Sequence, residues 1–108
     1  MAATTESPGR TALSEALSVL RDRRAELERT GVVHLAVFGS VARGDDRPDS
    51  DVDLLVTIAP GAPVGLLELV RLSRRLEELL GRRVDLAEPA ALKPALRARI
   101  LKEQIVAF

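Results

Sequence analysis

The sequence VVHLAVFGSVARGDDRPDSDVDLLV occupies residues 32–56 and decides the fold. It opens with a nearly continuous apolar run, Val32 to Phe38, of the kind that a strand buried on both faces needs. After Gly39-Ser40, the polar and turn-forming residues from Arg43 to Ser50 predict an exposed loop. From Asp51 to Ile58, apolar residues alternate with polar ones. We therefore predict two strands joined by a loop at the surface.

Helical spacing of apolar residues and turn signals place the other elements around these strands. Gly31 and Gly81 end helical regions, and Pro94 suits the first turn of the last helix. The predicted order is helix Thr11–Glu28, strand Val32–Phe38, strand Asp51–Ile58, helix Leu66–Leu80, strand Arg82–Ala87, and a helix from about Lys93 that carries Leu96, Ile100 and Ile105. We expect an α/β (α+β) fold in which a small mixed sheet has helices packed mainly on one face.

The length of the chain bounds its domain organisation. Its 108 residues suffice for one hydrophobic core and leave no room for a second domain of ordinary size. We expect a flexible tail over residues 1–10 and a single domain over residues 11–108. Hydrophobic residues make up 46% of the chain, yet two Phe are its only aromatic residues. The core must therefore be built from Leu, Val, Ala and Ile.

Charge and cysteine content argue against several kinds of site and partner. Sixteen basic and sixteen acidic residues cancel, so the chain has no overall field that would attract a nucleic-acid backbone. The absence of cysteine and the single histidine exclude thiolate and histidine-rich zinc sites. The opening residues lack the apolar run of a secretory signal, and no segment approaches the roughly 20 apolar residues that cross a bilayer. We expect a cytoplasmic protein with neither a membrane nor a direct nucleic-acid partner.

Gly39 and Ser40 follow the first predicted strand directly. A glycine there lets a phosphate approach the backbone closely, and a following helical turn would direct N–H groups toward the phosphate. Ser40 adds a short hydroxyl donor. The same pair is common in ordinary turns, so Gly39 and Ser40 indicate a phosphate site only together with the acids that follow.

Asp51 and Asp53 are those acids. At positions i and i+2 of a strand they share one face, roughly 7 Å apart, close enough to bind one hard cation or a pair of cations. Without a cation the two carboxylates repel each other and raise each other's pKa. The alternative is an exposed edge strand with solvated acids, but the flanking Val and Leu residues favour a central strand. The pair thus predicts a magnesium site.

Asp85 lies between Val84 and Leu86 in the third predicted strand. If it faces the same side as Asp51 and Asp53, a third carboxylate joins the site. It could complete a metal shell or accept a proton from an attacking hydroxyl, and the sequence does not choose between these roles. The alternative is a surface acid that pairs with Arg82 or Arg83.

The combined spacing of Gly39-Ser40, Asp51-Val52-Asp53 and Val84-Asp85-Leu86 resembles the minimal nucleotidyltransferases (MNT) of the DNA polymerase β-like superfamily. The resemblance runs from about Val32 to Ala87. It implies the nucleotidyltransferase fold, with Gly39 and Ser40 on the triphosphate and with Asp51, Asp53 and Asp85 as catalytic carboxylates that hold one or two Mg²⁺ ions.

Family members of this length are commonly the antitoxin of a pair whose toxin is a HEPN ribonuclease. The resemblance therefore implies that the chain transfers AMP from ATP to a hydroxyl, expected on Tyr, of a cognate HEPN toxin. A chain this short has little material for recognising an acceptor, which fits an acceptor carried by another protein. The alternative function is a non-catalytic antitoxin that masks its partner sterically.

Two further residues stand near these motifs. Arg43 is predicted to bind the nucleotide, or else to fix the loop through Asp49 or Asp51, since a guanidinium suits either partner. His34 is the only histidine, but it lies several residues before Gly39, so we assign it no catalytic role.

Overall fold

Four strands form one mixed sheet in the computed structural model, which describes residues 11–108. The strands are β1 (Val32–Phe38), β2 (Val52–Ile58), β3 (Val84–Ala87) and β4 (Ile105–Val106). Their order is β3-β2-β1-β4, with β2 and β3 parallel and the other two pairs antiparallel. The mixed sheet is confirmed, and β2 lies inside it rather than at an edge. The predicted tail, residues 1–10, lies outside the described residues.

Within the described residues, five helices and one 3-10 turn surround the sheet. They are α1 (Ala12–Asp22), α2 (Arg24–Arg29), α3 (Gly39–Arg43), α4 (Leu66–Leu80), the turn Pro89–Ala91, and α5 (Pro94–Glu103). Thr11 caps α1 reciprocally with Ser14, and Gly81 ends α4 in the left-handed conformation. Among residues 11–108, none of the helices combines the length and the apolar character that a membrane crossing requires.

Leu side chains from the helices build the main core on one face of the sheet. Leu20 and Leu27, from α1 and α2, are fully buried with Leu76 of α4 and with the alternate residues of β1 and β2. On the opposite face, Ile100 of α5 packs against Ala36 and Leu55 in a smaller cluster. The helices thus lie mainly on one face, as predicted.

Two predicted helices differ from those in the structure. The first is divided at Arg23, whose backbone N–H turns back to the carbonyls of Arg21 and Val19. Apolar periodicity does not reveal this break, because Leu20 and Leu27 reach the same core from both sides of it. The last predicted helix included Ile105, which is wrong. Gln104 is extended, and Ile105 pairs with Val37 in β4.

Hydrogen bonds connect the segment after α5 to α1 and β1. Arg21 donates hydrogen bonds to the carbonyls of Ala107 and Val106, each at 2.9 Å. Leu35 in β1 donates to the carbonyl of Phe108 and accepts from Ala107. Because Ala107 is also buried, this segment closes the free side of β1 and fixes the end of α5 beside the carboxyl end of β1.

Candidate active site

Gly39 sits where β1 ends, directly against the carboxylate of Asp53. In the antiparallel pair of β1 and β2, Phe38 lies opposite Asp53, so the next residue reaches the Asp53 side chain. A Cβ atom at residue 39 would collide with that carboxylate. Gly39 also has φ +73°, a left-handed conformation that disfavours side chains. Both the position and the backbone conformation therefore demand glycine.

Asp53 and Asp85 lie side by side on neighbouring strands. They are register partners in the parallel pair of β2 and β3, which places both side chains on the same face. Asp51 precedes β2 and is half exposed, and its Oδ1 forms an ion pair with Arg83 Nε at 3.3 Å. Arg82 pairs with Asp46 instead. In this structure Arg82 and Arg83 thus pair with other acids, and the alternative in which either pairs with Asp85 is wrong.

The environment of Asp53 disfavours its charged form. Partial burial raises the pKa of the Asp53 carboxyl above its ordinary value, and the negative charges of Asp85 and Asp51 raise it further. Arg43 acts in the opposite direction, and Glu103 adds another raising charge. A cation bound beside Asp53 would relieve this repulsion.

The donor atoms at this edge are those that magnesium prefers. The acids at the end of β2 offer carboxylate oxygens, and the single histidine, His34, lies opposite Thr57 toward the other end of β1. Among residues 11–108, no three acidic, His or Cys side chains are already gathered around one ion position. Asp51 and Asp53 therefore fit an ion that takes its remaining ligands from phosphate and water.

Arg43 and Glu103 form an ion pair beside Gly39. Arg43 ends α3, and its Nη1 lies 3.6 Å from Glu103 Oε1, while its Nε donates to Asp45 at 3.3 Å. The predicted loop partners Asp49 and Asp51 do not receive these contacts. Sequence reasoning missed Glu103 altogether, because nothing in the sequence places the end of the last helix beside the first strand. The pairing of β4 with β1, which the sequence did not predict, brings Glu103 to this position.

The loop between α3 and β2 is held by one arginine. Arg82 Nη1 donates to Asp46 Oδ2 at 3.0 Å and to the carbonyl oxygens of Arg47 and Ser50. The side chains of Arg82 and Asp46 are only 22% and 14% exposed, so water screens this pair less than an open surface pair. Residues 45–50 are thereby fixed on the approach to Asp51.

A mainly apolar groove of about 510 Å³ borders Asp85. Leu66, Leu69 and Val70 of α4 form one wall, and Leu86 and Ala87 of β3 form another. A second cavity of about 600 Å³ lies between α2, the 59–65 loop and α4, and none of the predicted site residues lines it. We favour this groove as part of the site because Asp85 lines it.

Known nucleotidyltransferases resemble this chain in sequence and in fold. The family described as the nucleotidyltransferase domain matches residues 17–107, which contain every predicted site residue. The protein adenylyltransferase MntA of Thermococcus cleftensis is 43% identical to the chain over 94 residues, which cover 86% of the chain and 93% of MntA. The solved structure of a candidate minimal nucleotidyltransferase is 43% identical, with a TM-score of 0.72 over 92% of this chain and 98% of that one.

Two solved toxin–antitoxin complexes contain chains of the same fold. One is a complex with AMP-PNP, with 19% identity and a TM-score of 0.65, covering 82% of this chain and 72% of that one. The other holds a tri-AMPylated HEPN toxin of Shewanella oneidensis with an MNT antitoxin. It has 15% identity and a TM-score of 0.60, covering 85% of this chain and 71% of that one. At such identities the likeness shows a shared fold.

Proposed function

The chain belongs to the nucleotidyltransferase domain family, and from that premise we propose that it is an antitoxin that transfers AMP from Mg-ATP to a tyrosine hydroxyl of a cognate HEPN toxin. One structural observation carries the proposal: Gly39, Asp53 and Asp85 meet at one edge of the sheet. This edge offers backbone space for a phosphate beside two carboxylates. The similarity to MntA supports AMP as the transferred group and a protein as the acceptor.

The residues at this edge divide the work of holding Mg-ATP. Gly39 and Ser40 offer the triphosphate a backbone without an obstructing Cβ and a hydroxyl donor. Asp51 and Asp53 hold one or two magnesium ions, and Arg43 supplies a positive charge to the phosphates. When bound, magnesium neutralises the negative charge that develops on the phosphate oxygens.

The chemical step is an in-line substitution at the α-phosphorus. A bond forms between the acceptor oxygen and that phosphorus, while the bond to the bridging oxygen breaks and pyrophosphate leaves. We assign the acceptor's proton to the carboxylate of Asp85. This acid is exposed and borders the groove, whereas Asp53 is partly buried beside Gly39.

The groove next to Asp85 supports an aromatic acceptor. Its apolar walls from α4 and β3 suit the ring of a tyrosine, and Asp85 lines the same groove. A serine or threonine side chain is too short to use those walls. The acceptor segment comes from the partner protein.

Label transfer tests the proposal. The purified chain is mixed with magnesium, α-labelled ATP and the product of the adjacent gene, beside an Asp53→Asn variant. Asp22→Asn is the matched control, because it makes the same chemical change at the exposed end of α1. We expect label on a partner tyrosine with the wild type and the control, and none with Asp53→Asn.

The same experiment separates the steric alternative. If the two proteins form a stable complex but no label moves, the chain acts by masking its partner. Masking also predicts that Asp53→Asn still neutralises the toxin, whereas transfer predicts that neutralisation is lost.

A further inference from the structure

Glu103 lies at this edge of the sheet, but the proposed reaction assigns it no role. It ends α5, and the pairing of Ile105 with Val37 carries the chain back so that Glu103 lies level with Gly39. Its side chain is 27% exposed. The fold therefore brings a further carboxylate to Gly39, next to the predicted site acids.

Both contacts of Glu103 are to groups assigned to the nucleotide. The Gly39 N–H donates a long hydrogen bond of 3.4 Å to Glu103 Oε1. Arg43 Nη1 lies 3.6 Å from the same oxygen. One carboxylate oxygen thus faces a backbone N–H and a guanidinium, the two kinds of donor that a phosphate oxygen would meet.

We propose that the Glu103 carboxylate stands in for a phosphate group, so that a bound nucleoside triphosphate must displace it from Gly39 and Arg43. This inference rests on the proposed nucleotide site. Both contacts are long and the side chain is partly exposed, so a rotation toward solvent releases them at small cost. Glu103 accordingly lowers the affinity for nucleotide, because its carboxylate occupies donors of Gly39 and Arg43 that the phosphates would use.

Equilibrium binding tests this role without any turnover. Affinities for Mg-ATP and for inorganic triphosphate with magnesium are measured with the wild type, Glu103→Gln and Glu103→Ala. Glu28→Gln is the control, because it removes the same charge from an exposed side chain on α2 that pairs with Arg24. We expect both Glu103 variants to bind both ligands about threefold to tenfold more tightly than the wild type, and the control to match it.

Three results separate the explanations. Equal affinities in the wild type and both Glu103 variants overturn the proposal while leaving the nucleotide site intact. Weaker binding by Glu103→Gln also overturns it, since that outcome makes Glu103 a ligand of the ion or the nucleotide. A wild type that binds no Mg-ATP contradicts the proposed function itself. Thermal unfolding of each variant checks that it is folded.

Discussion

The carboxylate of Asp53 occupies the space that a Cβ atom at Gly39 would need. The end of β1 therefore lies directly against the acid in β2, and only glycine is acceptable at position 39. The backbone of Gly39 can therefore lie directly against the Asp53 carboxylate, with no side chain of its own in between.

Gly39→Ala tests that fit. We expect it to lower the free energy of unfolding by about 1–3 kcal/mol and to abolish AMP transfer, because it adds both left-handed strain and a collision with Asp53. Gly44→Ala is the control, since Gly44 has φ +81° but open space where a Cβ would go. Urea unfolding and label transfer measure the difference. Equal losses in the two variants would mean that the collision is unimportant.

Asp53→Asn should stabilise the protein in the absence of magnesium. Because the pKa of Asp53 is raised in the folded protein, its charged form costs stability at neutral pH. We expect a gain of up to about 1 kcal/mol, limited by water screening at this partly exposed site. The gain should shrink as the pH falls through the raised pKa, and vanish below 3.8, the ordinary value. Urea unfolding over a pH series measures it, with Asp22→Asn as control. A gain that does not vary with pH contradicts the assignment.

Asp85→Asn distinguishes a proton acceptor from a metal ligand. If Asp85 accepts the proton, kcat should fall by about 10²- to 10⁴-fold while the magnesium concentration for half-maximal rate stays unchanged. A metal ligand would instead raise the magnesium requirement. Label transfer over a magnesium titration measures both quantities. Glu88→Gln, which removes another acid from the same groove, should leave them near the wild-type values.

Arg82→Ala should loosen the loop before Asp51. Loss of the contacts to Asp46, Arg47 and Ser50 leaves a poorly exposed carboxylate without its partner, which costs about 1–3 kcal/mol. We also expect a higher KM for Mg-ATP. Hydrogen exchange over residues 45–50 and urea unfolding check this, with Arg74→Ala, an exposed arginine of α4, as control. Unchanged exchange in that loop would show that Arg82 does not hold it.

Local patterns in the sequence were enough to predict β1, α4 and the nucleotidyltransferase family. The bounds of β1 agree because Val32 to Phe38 is apolar throughout and Gly39 ends it. The end of α4 agrees because Gly81 takes the left-handed conformation that few other residues tolerate. The predicted roles of Asp51, Asp53 and Asp85 stay predictions, although Asp53 and Asp85 prove to be neighbours.

Contacts between distant segments could not be predicted. Ile105-Val106 is too short for alternation to be recognised, and its pairing with β1 depends on a surface built elsewhere in the chain. Without that strand, neither the position of Glu103 nor its contact with Arg43 can be inferred. The break at Arg23 is hidden for a different reason, since both halves of the predicted helix bury Leu side chains in one core.

The pairing of β4 with β1 also bears on how the protein is made. Residues 105 and 106 are synthesised long after β1, so until they arrive Ala36 and Val37 present unpaired backbone groups along an apolar strand. Such an edge is a template for aggregation in a growing chain. Pairing with Ile105 and Val106 covers it once these residues have been synthesised. A ribosome that stalls within α5 would therefore release a chain in which this edge of β1 is unpaired.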